Sequence, residues 1–162
     1  MVTIRCTKKL LSRWPVTELQ DSPTTTALGD WYANILFVRP QVVLFMNERS
    51  LLAVPVIAAP VNDIYPRFID QMILLLRNIG TPEEKILAEI AEMQKFQVAK
   101  TNSRTVLGSL NDMMWHLENG LYDEDHFSLG ELAQRLAKIP FKATGYRYPQ
   151  EVESELFSHF SD

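Results

Sequence analysis

The chain has 162 residues, 46% of them hydrophobic and 22% charged, with a formal net charge of −4, the size and make-up of one ordinary globular domain spanning the whole chain. That composition excludes disordered and collagen-like classes, and no apolar run approaches the ~20 residues of a membrane-spanning helix. Charge falls from +2 over residues 1–60 through −1 over 61–100 to −5 over 101–162, so no extended nucleic-acid footprint is expected.

In chain order, Val2–Thr7 alternates as a strand, and Lys8–Trp14 makes a short turn or helix that Pro15 ends. The opening MVTIRCTKKLL does not have the pattern of a signal peptide, and the single Cys6, expected as a buried small hydrophobe, suits a reducing compartment. A cytoplasmic protein is the expectation. Residues 17–30, rich in turn formers, are expected as an exposed loop.

WYANILFV, VVLFM and LLAVPVI then follow as three β-rich runs separated by breaks of hairpin length, an antiparallel meander over 30–38, 42–47 and 51–57. Pro55 cannot donate a ladder hydrogen bond, which places the third run at an edge or interrupts it. Both faces of WYANILFV are apolar, so this strand is either central and covered twice or part of a homo-oligomer contact. Trp31 and Tyr32 are expected in the core rather than as a base-stacking platform.

After Pro60 the period becomes helical. Ile64, Phe68, Met72, Leu75 and Ile79 form one stripe that stops at Gly80. Thr81–Glu84 reads as a capping box opening a second helix. Residues 96–101 add a strand, followed by helices from about Ser103 to Asn119, from Ser128 to before Pro140, and from near Pro149. Strands first and helices after predict an α+β domain: a mostly antiparallel sheet, the N-terminal meander plus one later strand, packed by about five helices.

The stretch AKTNSRTVLGSLNDMM, Ala99 to Met114, concentrates the candidate site. Thr101, Asn102 and Ser103 can each accept from the free N–H groups of a helix start, whereas a cap needs one of them. Lys100 and Arg104 flank that start, and an arginine in a first turn opposes the helix dipole unless an acidic or anionic group answers it. Ser109, Asp112 and His116 line one flank, but three side chains on a single helix do not converge as a catalytic triad must. Gly108 inside the helix suggests close approach of another backbone, with helix–strand packing the expected reason.

Four blocks, CTKKLL, GDWYANILF, LFMNERSLL and AKTNSRTVLGSLNDM, resemble a bacterial domain family of unknown function met as small stand-alone proteins. The resemblance covers roughly residues 1–120 and implies a single cytosolic domain without an assigned activity. Taking the blocks as one site adds Asn34 and Arg49 to Lys100, Asn102, Arg104, Ser109, Asp112 and His116 as candidate binding residues.

No glycine-rich phosphate loop, paired-cysteine motif or His–Glu zinc motif is present. Asp123–His126 reads as a solvated loop rather than a metal cluster, and no metal, cofactor or membrane is expected. Two functions compete. The leading one is a non-enzymatic binding or regulatory protein holding a protein or small anionic partner. The other is an enzyme acting on a nucleotide or nucleic-acid phosphate, with Lys100 and Arg104 stabilising charge and Asp112 or His116 exchanging protons.

Overall fold

Alternation sends Val2, Ile4 and Cys6 of the first strand to one side of the sheet and Thr3 and Arg5 to the other, and that division organises two cores. The structure, a computed structural model, describes residues 1–14, 20, 22–123 and 128–160. Among these, β1 (Val2–Cys6), β2 (Trp31–Leu36), β3 (Val42–Asn47), β4 (Ala53–Ile57) and β5 (Phe96–Lys100) form one sheet in the order β4-β3-β2-β1-β5. The helices are α1 (Lys8–Leu11), α2 (Ile64–Asn78), α3 (Glu83–Glu92), α4 (Arg104–Leu121), α5 (Leu129–Leu136) and α6 (Pro149–Phe160).

The fold is α+β, but the sheet is mixed rather than mostly antiparallel. β2, β3 and β4 form the expected meander, whereas β1 lies between β2 and β5 and runs parallel to both, pairing Ile4 with Trp31 and with Val98. Parallel pairs need long crossovers rather than tight turns, and 24 residues, 7–30, separate β1 from β2 in sequence while residues 7–95 separate β1 from β5. Alternation within a strand carries no information about its neighbours. Pro55 does lie on an edge strand, since β4 pairs only with β3.

The central strand β2 is covered twice. Trp31, Ala33 and Ile35 face a core closed by α2 and α3, in which Phe68 stacks on Phe45 with centroids 4.1 Å apart and meets Trp31 edge-on at 5.0 Å. Tyr32, with Val42, Leu44 and Met46, faces a second core closed by Leu110, Met113 and Leu117 of α4 and by α5. α5 serves both cores, through Leu132 and Leu136 on one side and Ala133, with Ala137 at its C-cap, on the other. It packs along β4, shielding an edge strand that would otherwise invite pairing.

Two local expectations are corrected. The loop before β2 is not wholly exposed: Thr26, Ala27 and Leu28 are buried, because the carboxylate of Glu89 accepts from the backbone N–H groups of Ala27 and Leu28 at 2.8 and 3.2 Å. Thr81 does not cap α3, for its hydroxyl donates to Glu153 at 2.6 Å, and Pro82 occupies the cap position without a side-chain bond. A tertiary acceptor outcompetes the local one. Gly80 ends α2 with φ +90°, as its position predicts.

Candidate functional site

On the second face of the sheet, the β1–β5 half presents polar side chains instead of an apolar surface. Arg5, 7% exposed, donates from Nε to Asp30 Oδ2 at 2.8 Å and from its guanidinium to the Lys100 carbonyl at 3.2 Å. Asp30 also accepts from the Thr24 hydroxyl. A buried charge requires such a partner. Glu48, in the turn after β3, accepts from the Asp30 N–H at 3.3 Å; burial, then the nearby Asp30 carboxylate, pushes its carboxyl above the ordinary range.

Beside this pair, the Tyr32 hydroxyl donates to Asn102 Oδ1 at 2.6 Å and accepts from the Asn102 N–H at 3.3 Å. Burial raises the Tyr32 phenol, with the Asn102 hydrogen bond opposing, so the group is a neutral anchor rather than a base. Ser103 alone caps α4, accepting from the Val106 N–H at 3.2 Å. The segment from Lys100 to Arg104 is therefore held by Arg5 at its start, Tyr32 in its middle and the cap at its end. The Lys100 and Arg104 side chains are exposed, and among the described residues no acidic side chain pairs with either.

The other candidates are dispersed. Ser109 is buried on α4, Asp112 is exposed, and His116 packs edge-on against Phe141, its ring centroid 6.2 Å away; no hydrogen bond joins the three. His116 lines a cleft of about 320 Å³ with Asn119, Asp123 and Arg135, away from the Tyr32 hydroxyl's partners. Asn34 accepts from the Thr7 hydroxyl at 2.5 Å and clasps the start of α1 to β2. Arg49 is exposed in the turn beside Gly29 and Glu48, at the Trp31 end of β2 and next to the Asp30–Glu48 contact. Gly108 does not pack against a strand: nothing lies within 4 Å of where its Cβ would stand. It sits on the outer face of α4.

Arg5, Thr24, Asp30, Tyr32 and Glu48 were not among the sequence candidates. An arginine opposite Ile4 and Cys6 in an alternating strand is the available signal, since a strand with both faces buried obliges its charge to find a partner. Cys6 is buried as expected, and burial pushes its thiol up to about 12, which removes it as a nucleophile. Among the described residues, no three of His, Cys, Asp and Glu gather as around a metal ion, and no helix is long and apolar enough to cross a membrane. Glu124, Asp125 and His126 of the acidic stretch lie outside the described residues.

A family model described as a domain of unknown function, DUF6933, matches residues 3–152. No curated protein and no solved structure matches the chain.

Proposed function

We propose that this chain, which belongs to the family of domains of unknown function DUF6933, is a non-enzymatic binding protein of the bacterial cytosol whose β5–α4 corner holds an acidic protein partner or a small anion. The observation that carries the reading is the division of labour in Asn102–Arg104. Ser103 caps the helix, Asn102 turns inward onto Tyr32, and Arg104 remains as a first-turn cation in a helix with no acidic residue there. An unanswered cation at that position opposes the dipole by ~0.3–1 kcal/mol, and an anionic group from outside reverses the sign. The enzymatic alternative would need Asp112 or His116 beside Lys100 and Arg104, and no specific contact favours that arrangement.

Calorimetric titration at low salt with inorganic phosphate and with an oligoglutamate peptide tests the reading. Arg104→Ala should weaken the binding of at least one probe by over ~1 kcal/mol while leaving the unfolding free energy within ~0.5 kcal/mol of wild type. Arg104→Lys should rescue little if the contact is bidentate. Identical binding by wild type and Arg104→Ala would reduce the corner to a capped helix.

A further inference from the structure

α4 carries two seams. Leu110, Met113, Met114 and Leu117 enter the second core, whereas Arg104, Gly108, Asn111, Trp115, Glu118 and Tyr122 recur at steps of four and three on its outer side, within about 80° of arc. Steps of four and three keep these residues on one exposed face, where a second helix could lie against them.

We propose that this outer seam is where two copies of the chain associate, as an antiparallel helix pair with Trp115 of each copy seated over Gly108 of the other and Arg104 of each paired with Glu118 of the other. The inference rests on the reading of Arg104 as a cation awaiting an acidic partner, and names that partner as a second copy.

Three observations select this occupant. The first is the glycine: it weakens a helix interior, and here no contact within the chain accounts for it, since the space over its Cβ is open. The second is Trp115, 63% exposed two turns further along the same seam, a large aromatic of the kind that anchors interfaces. The third is charge: among the described residues, the Arg104 and Glu118 side chains have no ion pair.

A twofold contact demands that residue i meet j wherever j meets i. The pairs Arg104–Glu118 and Gly108–Trp115 are centred on Asn111 and between Asn111 and Asp112, half a residue or about 0.75 Å of helix rise apart, so one antiparallel alignment brings both pairs together. The axis then passes where an Asn111 amide of one copy can donate to the Asp112 carboxylate of the other. An unrelated partner would not require this internal symmetry.

Sedimentation equilibrium over roughly 1–200 µM tests the proposal, because a single helix pair lies at the small end of interface sizes and micromolar association is expected. The mass should rise with concentration from 18.6 kDa towards twice that value. Trp115→Ala should weaken association by at least about tenfold. Arg104→Glu and Glu118→Arg should each do the same, and their combination should restore the wild-type constant to within about threefold, since the swapped pair is again complementary. A wild-type chain that stays monomeric, a dimer indifferent to Trp115→Ala, or a charge swap that fails to restore association each overturns the inference. A monomer that still loses phosphate or oligoglutamate binding on Arg104→Ala would leave the corner reading standing and remove only the second copy as its partner.

Discussion

At the scale of single residues, the Tyr32 hydroxyl joins β2 to the segment that leads into α4 across 70 positions of sequence, and its removal isolates what that bond contributes. In Tyr32→Phe the ring still fills the second core, while Asn102 loses the partner of both its side-chain oxygen and its N–H. Because Asn102 is exposed, water replaces part of the loss, and urea unfolding should show a destabilisation of about 1 kcal/mol. The Lys100–Arg104 segment should also lose its fixed course, so anion binding should weaken although no cation has been touched. An unchanged titration would separate Tyr32 from the site. The apolar setting of Trp31 and Tyr32 marks both as core residues in the sequence, and both are. The polar tip of Tyr32 is not legible there, because alternation assigns a side chain to a face without saying which distant group its end will meet. Arg5 differs: its charge among inward positions is visible, and only the identity of Asp30 as its partner is hidden.

At the scale of elements, two glycines of α4 should respond oppositely to the same substitution. Gly108 has open space over its Cβ position, so Gly108→Ala should raise stability by roughly 0.5–1 kcal/mol at protein concentrations low enough to keep the chain monomeric. A Cβ on Gly120 would stand 2.7 Å from Leu132 Cδ2, a buried side chain of α5. Overpacking there outweighs the gain in helix propensity, and Gly120→Ala should destabilise by about 1 kcal/mol. Thermal melts of both variants measure the contrast, and a shared sign would contradict it. Element ends show the same split between local and distant causes. Gly80, Ser103 and Ser128 act where their own residue type predicts, and β1 and β3 fall within the expected bounds, because caps and alternation are decided within a few residues. Thr81 and Gly108 depart from expectation because the deciding group, or the lack of one, belongs to another part of the chain.

At the scale of the whole molecule, α+β was legible from the change of period after Pro60, whereas the place of β1 between β2 and β5 was not, since alternation within a strand does not say which distant strands it pairs with. Assembly of those layers brings two carboxyls into the interior. Glu153 of α6, 1% exposed, accepts from the Thr81 hydroxyl in the turn between α2 and α3, and Glu89 of α3 faces it. Burial pushes the Glu153 carboxyl up from 4.5 to about 7, the Thr81 hydrogen bond working against it and the Glu89 charge with it. A folded-state value above the unfolded one means that the native state holds the extra proton. The stability linked to Glu153 is therefore fully present below about 4.5 and is lost as pH rises towards 7, to an extent on the order of 3 kcal/mol. Glu153→Gln keeps an acceptor for Thr81 and has no proton to lose. Its urea-unfolding free energy should match wild type near pH 4.5 and exceed it at pH 8, where Glu153 is charged in the interior. Parallel profiles for the two proteins across that range would show that the carboxyl titrates as it does in water, and that α6 is not held to the turn before α3 by a protonated Glu153.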